Sequence, residues 1–129
     1  MPTPFHTNVF TDVKANAFFR QEIVTLTHSQ VTLMSIPPGG EVGLETHNDV
    51  DQILIFVTGT GVAVMNDVES PIEIGSLYTV PLGTKHNFTN TGAEDMKIIS
   101  VYAPPQHPVG TVHKTKAEAD AAEAAEHKA

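Results

Sequence analysis

The 129-residue sequence predicts an all-β fold, a barrel or sandwich built from short strands. Between Phe18 and Tyr102, β-type runs alternate with clusters of turn-forming residues such as Thr58-Gly59-Thr60-Gly61 and Asn90-Thr91-Gly92. No long amphipathic helix separates these runs, which argues against a parallel sheet with crossover helices. The length fits one ordinary domain with a single core.

The chain divides into three predicted parts. Residues 1–16 lack a clear period and are predicted to form an extended arm, and residues 17–105 hold the barrel strands. The barrel ends at Pro104-Pro105, because proline cannot donate to a β-ladder. In residues 106–129, a linker runs to Lys114, and the capping box Thr115-Lys116-Ala117-Glu118 opens a short helix that ends near Glu126. The predicted strands are Phe18–Leu26, Gln30–Ile36, Val42–His47, Gln52–Val57, Gly61–Val64, Pro71–Ile74, Ser76–Val80, His86–Thr89 and Met96–Tyr102.

Composition and charge exclude several classes of function. Fifteen acidic residues stand against seven basic ones, a formal net charge of -8, and such a surface repels nucleic acids and anionic membranes. No apolar run approaches the ~20 residues of a membrane-spanning helix, and the first residues do not resemble a signal peptide. Cysteine is absent, so thiolate metal sites and disulfides are excluded. We therefore expect a cytoplasmic protein that binds neither nucleic acid nor a membrane.

Two segments carry residues suited to binding a metal ion. Glu45 and His47 are two residues apart, so on a strand their side chains leave the same face. After the Asn48-Asp49 turn, Gln52 can come level with them, and His86 follows the tight turn Pro81-Leu82-Gly83. If both segments line one barrel, these groups converge. Two imidazoles and a carboxylate suit Fe(II) and also accept Zn, Mn, Ni or Co, so we expect one divalent ion per chain.

The second segment resembles the cupin family. It fits the cupin motif G-x5-P-x-G-x2-H-x3-N at every fixed position, which are Gly75, Pro81, Gly83, His86 and Asn90. The first segment occupies the place of the other cupin motif, with His47 at its second His, Glu45 in place of the first His and Gln52 in place of the Glu. The resemblance covers about residues 30–102 and implies a double-stranded β-helix (jelly-roll) barrel with the metal inside. Residues 102–118 also resemble the tail of a group of small bacterial single-domain cupins.

Several of these residues have more than one interpretation. Gln52 is either a metal ligand, a hydrogen-bond partner of a metal-bound water, or a residue that satisfies a backbone group. Phe56 and Phe88 are core residues by default but can also shape a substrate pocket, because inward positions of a small barrel form its pocket walls. Tyr102 and His113 are further candidates for substrate binding, and His113 is otherwise a solvated histidine of the linker.

The sequence favours a metal-dependent enzyme acting on a small organic molecule. Oxygenation is the first expectation, because O2-activating Fe(II) sites use two histidines and one carboxylate, and isomerase or lyase chemistry follows. A non-catalytic barrel that binds a small molecule, and a metal-free structural barrel, are the alternatives. An arm at residues 1–16 that adds a strand to a neighbouring sheet would cover a sheet edge, so we expect a homodimer.

Overall fold

The computed structural model describes the backbone of residues 3–128 and the side chains of residues 3–125, which form two antiparallel β-sheets and two helices. Most strands coincide with the β-type runs of the sequence, and one of them spans Gln30–Ile36 as predicted. The elements in chain order are α1 (Val9–Ala15), β1 (Arg20–Thr25), β2 (Gln30–Ile36), β3 (Glu45–Thr46), β4 (Asp51–Thr58), β5 (Gly61–Met65), β6 (Val68–Ile72), β7 (Leu77–Val80), β8 (Lys85–Asn90), β9 (Met96–Ala103), β10 (Val112–His113) and α2 (Lys116–Lys128).

The two sheets contain six and four strands. Their orders are β10-β1-β2-β9-β4-β7 and β3-β8-β5-β6, and every neighbouring pair is antiparallel. Strands that are distant in sequence lie side by side, as β2 and β9 do over the full length of β2. The predicted all-β jelly-roll architecture is confirmed.

The main core lies between the sheets and follows the period-two alternation of the strands. In β4, Gln52, Leu54 and Phe56 are buried and share one face, whereas the residues between them are more exposed. Leu54 and Phe56 belong to the core cluster between the sheets, and Gln52 therefore faces the barrel interior as well. The larger members of this cluster are Phe19, Met34, Ile36, Leu54, Phe56, Ile72, Phe88, Met96 and Ile98.

The prediction of an extended arm is wrong for part of residues 1–16, because Val9–Ala15 form the helix α1. Asn8 caps this helix by accepting a hydrogen bond of 3.0 Å from the backbone N–H of Thr11. Val13 is fully buried against Leu33 and Ile99 on the outer face of the six-stranded sheet. This tertiary contact stabilises a helix that is too short to show a clear period in the sequence. Residues 1 and 2 of the arm lie outside the described residues.

Other boundaries differ from the prediction, and the strand predicted at Pro71–Ile74 lies at Val68–Ile72. The strand predicted at Val42–His47 is reduced to Glu45–Thr46, because Gly43 adopts a φ of 114° and its N–H donates to the Asn87 side chain instead of a ladder. The linker predicted up to Lys114 contains β10, in which Val112 and His113 pair with Gln21 and Arg20. This pairing joins residues 91 and 93 positions apart, which the local sequence does not indicate.

The C-terminal helix begins as predicted. Thr115 accepts a hydrogen bond of 3.2 Å from the backbone N–H of Glu118, while the Glu118 carboxylate accepts one from the N–H of Lys114. Ala119 is 2% exposed and packs into the main core, so α2 lies against the barrel. No helix within residues 3–128 is long and apolar enough to cross a membrane.

Candidate metal centre

The four-stranded sheet brings the first and second sequence segments together. Glu45 of β3 is the direct cross-strand partner of His86 of β8, and His47 follows one residue after β3 ends. One ligand atom from each of Glu45, His47 and His86 can be chosen so that all three atoms lie within 4.8 Å of one another. The tertiary structure thus places these three predicted ligands in one cluster.

The spacing of the cluster suits a metal ion. The Nε2 atom of His47 lies 2.9 Å from Oε2 of Glu45, and the His47 and His86 ring centroids are 5.5 Å apart. Ligand atoms that bind one ion at about 2.1 Å are separated by about 3 Å in adjacent positions. Small side-chain movements would therefore suffice for Glu45, His47 and His86 to hold a divalent cation.

His86 is oriented by its own loop. Its Nδ1 atom lies 2.9 Å from the Thr84 carbonyl oxygen, and because a carbonyl only accepts, Nδ1 carries the proton. The turn before it places Gly83 at a φ of 82°, which favours glycine. Nε2 of His86 is then the ring atom with a free lone pair for a metal, and metal-binding histidines typically show this arrangement.

The protonation states of two ligands also suit metal binding. Burial alone would raise the pKa of Glu45, but the hydrogen bond from His47 and nearby positive charges outweigh it and lower this pKa. Burial lowers the pKa of His86, and this effect outweighs the opposing hydrogen bond to the Thr84 carbonyl. At neutral pH the site therefore presents a carboxylate and a neutral imidazole, the forms that coordinate cations.

Gln52 carries an unsatisfied oxygen inside the barrel. Its Nε2 atom donates a 2.9 Å hydrogen bond to Oγ of Ser100, while Oε1 is buried and has no hydrogen-bond partner among the described residues. A buried amide oxygen without a partner is unfavourable by about 1–3 kcal/mol, which a metal ion, a water or a substrate donor would offset. That Gln52 is a direct metal ligand stays a prediction.

Phe56 and Phe88 lie beside the cluster in the aromatic part of the core. Both are fully buried, their ring centroids are 5.3 Å apart, and the Phe88 ring is 6.0 Å from that of His86. Phe56 also makes an edge-on contact with Tyr78 at 5.9 Å. These contacts show a packing role, and a substrate-binding role for either residue stays a prediction.

Tyr102 and His113, the other predicted substrate-binding residues, are outside the three-residue cluster. Tyr102 is 2% exposed and makes an edge-on contact with the ring of His107 at 5.1 Å. His113 lies in β10, and its Nδ1 atom accepts a hydrogen bond of 3.3 Å from Nη1 of Arg20. His113 is therefore not a solvated linker histidine, and whether it contacts substrate stays a prediction.

Two buried basic residues, Arg20 and His107, were not predicted as site residues from the sequence. Arg20 is 2% exposed and is one of the charges that lower the pKa of Glu45. Burial, followed by the charge of Arg20, lowers the pKa of His107 to about 3. A signal existed for Arg20, because it is the only arginine of the chain and lies within the predicted strand Phe18–Leu26. His107 follows the strands in a proline-rich segment and has no comparable signal.

A cavity of about 590 Å³ lies beside His47. Its walls come from the loop after β3 and from the segment that follows β9, including Asp49, Val50, Pro104 and Gln106. The side chains of Glu45 and His47 keep 21% and 16% of their surface exposed, whereas His86 is 1% exposed. His86 is therefore the buried member of the cluster, and His47 is the member that lines this cavity, which gives the access that an open metal site requires.

Two antiparallel sheets that enclose a cluster of two histidines and one carboxylate define a β-barrel of the double-stranded β-helix class. The family model described as the cupin domain matches residues 32–102, and the chain belongs to the cupin family. This match confirms the resemblance seen in the sequence.

Individual relatives extend the similarity over most of the chain. The uncharacterized protein YrkC of Bacillus subtilis is 44% identical over 128 residues, which cover 95% of this chain and 69% of YrkC. The crystal structure of BH2720 from Bacillus halodurans has a TM-score of 0.91 and 43% identity, with 93% of this chain and 96% of that chain covered. An oxalate-binding protein of Thermotoga maritima is 34% identical over 68 residues, or 53% of this chain and 56% of that protein.

Proposed function

We propose that this cupin is a metal-dependent enzyme that acts on a small organic molecule inside the barrel. The observation that carries the proposal is the cluster of Glu45, His47 and His86, whose ligand atoms lie within 4.8 Å of one another. Glu45, His47 and His86 would hold one divalent cation, and the oxygen of Gln52 would complete or tune the set. The bound cation would act as a Lewis acid or as the site of O2 chemistry.

The donor set favours dioxygenase-type chemistry as the first reaction to test. Non-haem Fe(II) oxygenases use two histidines and one carboxylate with open coordination positions, and the cavity beside His47 offers access to such positions. Isomerase or lyase chemistry at a carbonyl is the next reaction class, because it needs the same access and a polarising cation. Phe56 and Phe88 would supply the apolar wall next to His86.

Elemental analysis of the purified protein tests the metal site. We expect about one divalent ion per wild-type chain, and a loss of at least about tenfold in bound metal in His86→Ala and in Glu45→Ala. His107→Phe is the matched control, because it removes another buried histidine that lies outside the three-residue cluster. Equal metal content in all four proteins would refute the assignment of the site.

Turnover separates an enzyme from a binding protein. The metal-loaded protein is incubated with a panel of diketones, phenolics and sugar phosphates while O2 uptake and product formation are recorded. We expect consumption of at least one class, and loss of that consumption in Glu45→Ala. Full metal loading without consumption of any compound, with or without O2, would count against the enzyme.

One relative favours a second function, the non-catalytic binding of a small acid. The Thermotoga maritima relative, 34% identical over 68 residues, is an oxalate-binding protein. A barrel that holds a cation can bind a chelating acid without further chemistry. Oxalate that is bound stoichiometrically and recovered unchanged from the wild-type protein would support this function over catalysis.

A further inference from the structure

Arg20 places a positive charge inside the barrel. It is 2% exposed and begins β1, where its Cα partner on the neighbouring strand is Met34. Met34 belongs to the core cluster between the sheets, and paired residues of adjacent strands point to the same side. The guanidinium is therefore on the side of the sheet that also carries Gln52 and faces the metal centre.

Contacts among the described residues satisfy only part of this guanidinium, whose Cζ atom also lies 5.2 Å from the centroid of the Phe19 ring. Nη1 donates to Nδ1 of His113 at 3.3 Å, and the Glu123 carboxylate of α2 lies 3.8 Å from Nη1, beyond hydrogen-bond distance. Nε is buried and has no hydrogen-bond partner in the part of the chain that the structure describes. A buried arginine normally holds a carboxylate through two parallel hydrogen bonds. Such a partner is missing among the described residues.

Other unsatisfied polar atoms share the barrel interior with Arg20. Thr32 of β2 is fully buried and its Oγ1 has no partner among residues 3–125, and Ser100 of β9 is its direct cross-strand neighbour. Ser100 in turn accepts from Gln52, whose Oε1 is also unsatisfied. The Thr32 hydroxyl, the Gln52 amide oxygen and the Arg20 guanidinium lie on one side of one sheet. Together they offer hydrogen-bond donors and an acceptor to a small polar molecule.

The charges of the interior favour an anion. A divalent cation and Arg20 carry three positive charges, and the carboxylates of Glu45 and Glu123 offset two of them when both are ionised, which leaves a net charge of +1. Arg20 lies close enough to both Glu45 and Glu123 to affect their ionisation, so these charges act on one region. Uncompensated charge is unfavourable in a buried site, and a bound carboxylate would neutralise part of it.

We propose that Arg20 anchors a carboxylate group of the substrate, so that the substrate class is a small organic acid. The carboxylate of Glu123, which lies 3.8 Å from Arg20, is the group that the substrate carboxylate displaces. The inference rests on the proposed function for the role of the cation, but the anchor itself is a property of Arg20. The Arg20 contact would define the substrate class and position the substrate, neither of which the metal ligands alone determine.

Isothermal titration calorimetry with malonate and its uncharged diamide, malonamide, tests the anchor. Zinc-loaded wild type should bind malonate at least about tenfold more tightly than malonamide, because a charge-assisted bidentate contact is lost with the diamide. Arg20→Gln should reduce malonate affinity at least about tenfold at unchanged zinc content, and Arg20→Lys should give an intermediate value. Equal malonate affinity in wild type and Arg20→Gln would mean that malonate binds through zinc alone, and would overturn the anchor.

Glu123→Gln tests the same inference without altering the buried arginine. The Glu123 side chain is 28% exposed, and removing its charge should tighten malonate binding about two- to fivefold because the competing anion is gone. Asp120→Asn is the matched control, since it removes one negative charge from the same helix where the carboxylate pairs with Lys116 instead. If Arg20→Gln does not fold, the comparison of Glu123→Gln with Asp120→Asn tests the inference instead. Equal malonate affinities in these two variants would overturn it.

The two proposals fail in different ways. Wild-type protein without bound metal would refute the metal-dependent function, whereas malonate binding that depends on Arg20 in that protein would still support the anchor. If metal is bound and the affinity for malonate is unchanged in both Arg20→Gln and Glu123→Gln, the metal site stands and the role of Arg20 as an anchor is refuted.

Discussion

Among single residues, the buried His107 links the stability of the protein to pH. Its pKa is lowered to about 3 by burial first and by nearby positive charges, whereas the unfolded chain binds that proton near the ordinary value of 6.5. Between these two values only the unfolded state is protonated, so the free energy of unfolding falls as pH falls from 6.5 toward 3. The pKa of His86 is also lowered, so this residue too makes the free energy of unfolding fall as the pH falls.

We expect His107 to contribute a loss of roughly 2 kcal/mol in the free energy of unfolding between pH 7 and pH 5. In His107→Phe this contribution disappears, so the loss of stability over the same range is smaller, while the edge-on contact with Tyr102 is kept. Urea unfolding of metal-depleted wild type and His107→Phe at pH 7, 6 and 5 measures the difference. Parallel pH profiles for the two proteins would contradict the prediction.

Asn90 shows how a motif residue can matter without taking part in chemistry. Its amide donates to the carbonyl oxygens of Ile36 and Glu94 at 2.9 and 2.7 Å, and its Oδ1 accepts from the N–H of Gly92 at 3.0 Å. The side chain is fully buried and ties the end of β8 to two other segments. Its role is to hold the strand that carries His86 in register.

Among the glycines, Gly61 in β5 has the least room for a side chain. A Cβ atom added there would lie 1.9 Å from the backbone carbonyl oxygen of Thr89 in the neighbouring β8. The backbone in the middle of a β-ladder cannot shift without breaking hydrogen bonds between the strands. We therefore expect Gly61→Ala to lower the free energy of unfolding by more than about 3 kcal/mol. The displaced strand is the one that carries His86, so metal binding should weaken as well.

Gly110→Ala is the matched control for the close contact at Gly61. An added Cβ at Gly110 meets nothing within 4 Å, but its φ of 84° makes the substitution unfavourable by about 1 kcal/mol. Denaturant unfolding of both variants measures the difference. A loss in Gly61→Ala no larger than that in Gly110→Ala would show that β5 and β8 separate easily at this point.

The two helices depend on tertiary contacts in different ways. The seven residues of α1 gain their stability from Asn8 as a cap and from Val13 against the outer face of the sheet. The longer α2 has a capping box that is visible in the sequence, and Ala119 anchors it to the main core. The α2 helix also places the carboxylate of Glu123 3.8 Å from Nη1 of the buried Arg20.

At the scale of the whole molecule, the predicted homodimer remains a prediction. The helix α1 covers the outer face of its own six-stranded sheet, so part of the arm has a role within one chain. Apolar side chains such as Ile74, Leu77 and Val112 are exposed at 69%, 59% and 45%, which leaves surface for a second copy to cover. Light scattering should give about twice the chain mass of 13.9 kDa. A mass of one chain over a wide range of concentrations would contradict the dimer.

The amino-acid sequence by itself determined the strand content, the barrel and the identity of the three clustered ligands. Alternating apolar residues and turn formers are local properties, and the two-residue spacing of Glu45 and His47 favours one face of an extended segment. The motif around His86 has the same local character, because its turn orients the histidine.

Only the tertiary structure decided which further residues face the barrel interior. The burial of Arg20, the low pKa of His107 and the approach of Glu123 depend on β10 pairing with β1 and on α2 lying against the barrel. These contacts join residues about a hundred positions apart, and no local pattern of hydrophobicity or turn chemistry encodes them. The charge that we assign to substrate recognition is thus a consequence of the packing of the C-terminal segment.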